Sequence, residues 1–331
     1  MTRPPIKTQQ GVTIVEMMIA MTLGLIILAV TTALFVSNSR TQDEIKRANQ
    51  QIANGQYAVS LLADGLRNAG YLAEYDPMML PTPTSPDPCA TDMPSLLAAL
   101  PMAVGGATGG SLPSCLSDVK AGTDVVVMRG ASTCAIGDVG CDPAVSGALY
   151  FQASGCNSAT ELAAVDPTAY FVLDTNMANL NRHKVDCSTA APIHRYTVAI
   201  YFVANNYRPG DGIPTLKRAE LGPGGFTVSS LVEGIENLKL EYGIDNVTTH
   251  TGVPAFFTNA PADDASWRNV VAARIHVLAR SPTMSVGYTD TRTYQIGPST
   301  TFTPTGSDAL YKRHVYDTSV RLNNVSARNL P

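Results

Sequence analysis

The chain has little charge and no surplus of the positive sign: 23 Lys and Arg stand against 27 Asp and Glu, giving a formal net charge of −4 over 331 residues. That balance does not support nucleic-acid binding through a large cationic face. The signatures of common enzyme sites are missing as well: HExxH, GxSxG, a P-loop and GxGxxG are all absent. The five histidines are scattered, and His276 falls among strand residues, where a satisfied or surface imidazole is expected rather than a base. The expectation is a protein without catalytic chemistry or a cofactor. No CxxC pair occurs, and no cysteine precedes Cys89. The irregular spacings and the presence of only His183 and His194 nearby argue against a metal centre, though ligation stays open as a competing view. The paired acids Asp263 and Asp264 are read as a solvated turn, with calcium as the alternative.

What the chain does have is one long apolar segment. From Val12 to Val36 it runs for 25 residues, broken near its start by a single carboxylate, Glu16. As a helix rising about 1.5 Å per residue, such a segment spans the roughly 30 Å hydrocarbon core of a bilayer. It is too long for an ordinary secretory signal, and no small-residue cleavage site follows it. The short leader before it, residues 1–11, carries only Arg3 and Lys7 as charged side chains. Two positive charges place that leader in the cytoplasm and residues 37–331 outside. A plain signal anchor leaves Glu16 unexplained, because an acid inside a span is costly and marks function by default.

Gly11 followed by Val12-Thr13-Ile14-Val15-Glu16 and a long apolar run resembles the class III signal of type IV prepilins and pseudopilins. The resemblance implies a cut between Gly11 and Val12 by a membrane prepilin peptidase, with N-methylation of Val12, where the family more often has phenylalanine. It also implies that Glu16 is an assembly contact, pairing with the terminal ammonium of a neighbouring subunit. A buried carboxylate becomes tolerable when an opposite charge is supplied within the low-dielectric layer.

Past the span, residues 37–75 read as an amphipathic extension of the same helix. Ile45, Ile52, Val59, Leu62, Leu66 and Ala69 share one stripe at intervals of seven, seven, three, four and three. Gly24, Gly55 and Gly65 are expected weak points, each costing about 1 kcal/mol relative to alanine. The segment Tyr57 to Tyr71, with Leu61-Leu62, Asp64, Arg67 and Ala69-Gly70-Tyr71, is similar to the close of the long helix in PilW-type minor pilins. Gly70 stands where a helix end wants a left-handed residue.

Residues 76–190 read as an irregular insertion in a globular head. Eight prolines fall between Pro77 and Pro113, enough to exclude a continuous helix or a central strand. A short helix is expected near Ser95–Leu100, and short strands at 124–128, 148–152 and 169–173. All six cysteines, Cys89, Cys115, Cys134, Cys141, Cys156 and Cys187, lie after the span, where an even number reads as up to three disulfides in any of 15 connectivities. Cys134 and Cys141 are close enough in sequence to close a small loop.

Residues 191–331 read as an antiparallel sheet of about five strands lying against the helix: 195–203, 238–244, 271–280, 288–296 and 315–322. Here the order Tyr201-Phe202-Val203, Leu216 to Leu221, Leu231 to Asp245, Trp267-Arg268-Asn269-Val270-Val271, Arg280-Ser281 and Ser319 to Asn324 again resembles PilW-type minor pilins. The resemblance implies an α+β, type IV pilin-like fold, with a long N-terminal helix packed on an antiparallel β-sheet head. It implies a subunit held in the inner membrane with its head in the periplasm, later carried into a pilus near the tip. Its partners would be the prepilin peptidase, other minor pilins, the major pilin and a tip adhesin, and its work fibre priming, twitching motility and adhesion. Two other readings stay open: a J-type pseudopilin of a type II secretion system, and a membrane-anchored periplasmic enzyme or binding protein.

Overall fold

The computed structural model describes residues 11–82, 86–108 and 112–330. Arg3, Lys7 and the rest of the leader before Gly11 lie outside the described residues. The chain divides into two compact units, one ending at Asn49 and the other beginning at Gln50.

One helix, α1 (Ile14–Asn68), contributes to both. Up to Val36 its side chains, Glu16 and a few hydroxyls apart, are apolar and exposed all round, from Val12 at 77% and Ile14 at 81% to Leu34 at 61% and Phe35 at 74%. A helix apolar on every side is either buried or membrane-embedded. Its few hydroxyls are satisfied inside the helix: Thr22 donates to the Ile19 carbonyl at 2.9 Å, and Thr32 to that of Leu28 at 2.7 Å. The hydroxyls of Thr22, Thr31 and Thr32 are thus satisfied without water, as a bilayer demands.

The second unit holds a seven-stranded antiparallel sheet and a four-stranded one. The first contains β1 (Val104–Thr108), β2 (Asp124–Ala135), β3 (Tyr150–Ala153), β4 (Phe171–Asp174), β5 (His194–Ala204), β6 (Thr215–Gly222) and β7 (Gly225–Glu233). Its order is β1-β2-β5-β3-β4, while β6 pairs with the far end of β5 and β7 pairs with β6. The second contains β8 (Ile235–Ile244), β9 (Phe256–Thr258), β10 (Val270–Arg280) and, after the hairpin β11 (Tyr294–Ile296) and β12 (Thr300–Phe302), β13 (Arg313–Arg321), in the order β13-β10-β8-β9. Short helices α2 (Met93–Ala98), α3 (Asp264–Arg268) and α4 (Asn323–Arg328) fill the connections.

Two cores result. Ala58, Leu62, Ala63 and Leu66 of α1 pack with Val126, Met128 and Leu216 of the first sheet and with Leu238, Leu240, Ala273, Ile275 and Val277 of the second. The opposite face of the first sheet, with Val125, Val127, Phe151, Phe171 and Phe202, is closed by Leu72, Tyr75, Leu96 and Leu100.

Several expectations change. The division at residue 190 does not separate an irregular insertion from a sheet, because β2 pairs with β5 from Val126↔Tyr201 to Ala135↔His194 and makes one sheet of both stretches. Short strands between Cys-bearing turns read as isolated pieces in the sequence, whereas long-range pairing joins them. The apolar stripe of the helix also differs: Ile45 is 54% and Ile52 44% exposed, while the buried face runs Gln51, Gly55, Ala58, Leu62, Ala63 and Leu66. Between 288 and 296 only Tyr294–Ile296 is extended, as one arm of the β11–β12 hairpin. That hairpin covers Leu278 on the outer face of β10 and does not extend the main sheet.

Candidate functional site

Gly11 and Val12 precede the first helical turn in exposed, non-helical backbone. Thr13 then starts the helix by a reciprocal cap. The Thr13 backbone N–H and hydroxyl each donate to Glu16 Oε2 at 2.9 Å, and the Glu16 N–H donates to Thr13 Oγ1 at 3.3 Å. This is the Thr-x-x-Glu capping box, a signal that the sequence carries at Thr13 and Glu16. Glu16 therefore has a local task, holding the first turn closed. A carboxylate keeps lone pairs beyond those Thr13 uses, so a further donor can join it.

In the second unit the rear of α1 is clamped by polar groups. Gln51 Nε2 donates to the Ala279 carbonyl at 3.1 Å, Asn54 Nδ2 to the Glu233 carbonyl at 3.0 Å, and Gln50 Nε2 to Glu233 Oε1 at 2.7 Å. Its glycines are slots rather than weak points. A Cβ on Gly55 would lie 2.2 Å from the Tyr316 ring, and one on Gly65 would lie 2.6 Å from Met128 Sδ. The helix ends where Gly70, at φ +75°, donates its N–H to the Arg129 carbonyl at 2.7 Å. Asn324 Nδ2 closes the last carbonyls of Asn68 and Ala69, both at 3.1 Å.

One pair of opposite charges is buried in the head against itself. Arg313 sets Nε and Nη2 on the two oxygens of Glu236, at 2.5 and 3.0 Å, with neither side chain more than 3% exposed. Burial acts to raise the carboxyl pKa of Asp290, but hydrogen bonds from Tyr294 and Arg292 outweigh it and hold the group below its ordinary range. At Asp245 burial is outweighed in the same way by Thr251, Gly252 and Asn246. Asn329 Nδ2 also donates to Asp245 at 3.2 Å and ties the C-terminal helix region to the end of β8.

The cysteines pair as Cys89–Cys115, Cys134–Cys141 and Cys156–Cys187. Asp263 caps α3, accepting from the Ser266 N–H at 2.8 Å. His276 donates through Nδ1 to the Asp317 carboxylate at 2.5 Å, on the exposed side of three adjacent strands. One constellation has the residue types of a hydrolase, Ser154, Glu161 and His183. Its wiring differs, because the Ser154 hydroxyl donates to Glu161, and the His183 ring meets the other oxygen of that carboxylate at 2.8 Å. No imidazole sits on the hydroxyl to take its proton.

Comparison with known proteins adds two family matches. The prokaryotic N-terminal methylation motif matches residues 6–32. The type IV pilus-assembly protein W model matches residues 200–324, which runs from β5 through β13 into α4. No curated protein matches the chain. Among solved structures, a type IV-like pilin from Thermus thermophilus is similar over 83% of this chain and 96% of its own, at 11% identity and a TM-score of 0.32. With the methylation motif on the exposed front of α1 and the assembly-protein model on the strands around its rear, the two matches together support a PilW-like minor pilin of the type IV pilus.

Proposed function

We propose that this pilin acts by assembly. The prepilin peptidase removes residues 1–11 by cutting between Gly11 and Val12, and Val12 is N-methylated. Val12–Val36 then holds the subunit in the inner membrane, with the head in the periplasm. In the fibre the same segment packs against other pilins, and Glu16 receives the terminal ammonium of a neighbour in addition to its Thr13 cap. The subunit joins other minor pilins in a complex that primes the fibre, ends near its tip with a tip adhesin, and so supports twitching motility and attachment.

The observation that carries this reading is the front half of α1: a helical surface apolar on every side and exposed from Ile14 to Val36, with one carboxylate at its start. Such a surface is stable in a bilayer or in a bundle of like helices. The test is Glu16→Ala in an otherwise intact strain. Cleavage should persist, read by a mature sequence starting at Val12, while surface pili and twitching fall at least roughly tenfold, as expected for losing a paired charge in a low-dielectric interface. Normal piliation in that variant would sink the pairing.

A further inference from the structure

Three stretches of the head meet beside the paired ends of β2, β3 and β5. The Cys134–Cys141 bridge closes a loop at the end of β2, and Cys156–Cys187 ties the segment after β3 to the one that leads into β5. The third stretch, Tyr71 to Glu74, follows the end of α1 and carries Ala73 at φ +50°, a left-handed conformation that strains a non-glycine residue. Between them lies a cavity of about 670 Å³, the size of a small-molecule site. Its lining divides by chemistry. The buried Ala135, Ala153 and Ala191 give it a small apolar floor. The Tyr71 ring meets the His194 imidazole edge to face, with centroids 5.8 Å apart and planes at 79°. Glu74, Asp138, Lys184 and Asp186 are exposed at its mouth.

His194 is the group that its own fold leaves incomplete. It is only 5% exposed. Its Nδ1 lies 2.8 Å from the Ser132 carbonyl, which can only accept, so Nδ1 carries the hydrogen and Nε2 of the neutral ring is an acceptor. Nε2 has no hydrogen-bond partner among the described residues, yet it is not sealed from solvent. A ring so deeply buried reaches solvent through the space it lines, so this lone pair opens into the cavity. An unpaired acceptor at such a depth costs free energy that a donor on a ligand would recover.

The charge at the mouth selects that donor. Three carboxylates stand there against one ammonium, Lys184. Asp186 is held charged by its own loop: the Thr189 hydroxyl and N–H and the Ser188 N–H all donate to it, and they keep its carboxyl well below the ordinary range. Glu74 and Asp138 have no side-chain partner among the described residues, so their charge is uncommitted. An anion would meet a net negative mouth and an acceptor inside. A neutral alcohol would satisfy the acceptor and leave the charge unused. An alkylammonium group uses both, and its methylenes suit the alanine floor and the Tyr71 ring.

We propose that this cavity binds an alkylammonium group, with His194 Nε2 accepting from one of its N–H bonds and Glu74 and Asp138 supplying the counter-charge. The site is separate from the assembly reading, since no residue of its lining belongs to α1. Two carriers of the group fit it, a free aliphatic amine and the lysine side chain of another protein.

The test uses the full-length protein in detergent with nitrogen-15 in its five histidines, the His194 signals being assigned from single histidine-to-glutamine variants. The probes are n-butylammonium, 1-butanol and butyrate, which share an alkyl chain and differ in charge. Butylammonium should shift the His194 ring signals saturably, 1-butanol should bind at least about fivefold more weakly, and butyrate should leave them unmoved. Glu74→Gln and Asp138→Asn, at exposed side chains without partners, should each weaken butylammonium binding about two- to fivefold. Asp142→Asn, at an exposed acid beside the same loop but outside the lining, should change nothing. The proposal is overturned if no probe shifts His194, if 1-butanol or butyrate binds as tightly as butylammonium, or if both acid variants bind it like the wild type. Nα-acetyl-lysine methylamide separates the carriers: binding like that of butylammonium assigns the site to a protein lysine, exclusion assigns it to a free amine, and either supports the site.

Discussion

The two halves of α1 have the same secondary structure and opposite surroundings. From Ile14 to Val36 no side chain is buried, and the one carboxylate caps the helix. From Gln51 to Leu66 the inward face is closed by both sheets, with glycines where neighbouring side chains reach the helix backbone. The front presents an apolar surface on every side. The rear is fitted to one particular set of neighbours. Small residues mark the difference: Gly24 has open space around it, whereas Gly55 and Gly65 are filled slots.

Perturbations of the head should therefore leave the front half alone, and the largest is loss of a disulfide. Replacing Cys156 and Cys187 together by serine, which opens a bridge of sequence separation 31, should cost the head about 2–4 kcal/mol. The Cys134–Cys141 bridge, of separation 7, should matter less. Both are checked by thermal melting of the full chain in detergent, with helix content of the front half unchanged by far-UV dichroism. Gly55→Ala comes next: its Cβ must displace the Tyr316 ring, an overpacking cost of about 1–3 kcal/mol. A Gly55→Ala head that melts like wild type would break the distinction between filled and open slots.

Acid should act on the head in a defined direction. Asp245 and Asp290 both have lowered pKa values when folded, so their stabilisation is present above the ordinary carboxylate pKa near 4 and is lost as pH falls below it. The melting temperature should hold from neutral pH to about pH 5 and drop below about pH 4. Asp245→Asn should melt lower at neutral pH, by about 1–3 kcal/mol of lost charge-assisted hydrogen bonding, and show a shallower fall in acid. A parallel fall in the variant would remove Asp245 from the account.

The span, the helix and the sheet class were legible because each is a local pattern: the apolar run from Val12 to Val36, and the alternation of Leu238 to Ile244. The buried face of the rear helix was legible at Leu62, Leu66 and Ala69 but not in the turns before them. A stripe drawn through Ile45 and Ile52 obeys helical spacing, yet the face that is buried begins at Gln51 and Gly55, a polar residue bonded to the Ala279 carbonyl and a glycine beneath a tyrosine. Hydrophobicity cannot identify a slot that works by lacking a side chain. The seven-stranded sheet was obscured for another reason, since its β2–β5 pairing joins residues about 70 apart across disulfide-bearing turns. The cap at Thr13 could have been read from Thr-x-x-Glu alone.

The smallest expected effect sharpens the comparison most. Gly24→Ala adds a Cβ that meets nothing within 4 Å, at a site where alanine favours the helix by about 1 kcal/mol. Head melting should be unchanged and surface pili should remain normal. The measurement pairs the two readouts, because they fail for different reasons. A shift in head melting would show that the front half is not indifferent to the head. Unchanged melting with lost pili would show that Gly24, open in the lone chain, is a slot filled by another subunit in the fibre, as Gly55 is filled by Tyr316 within its own head.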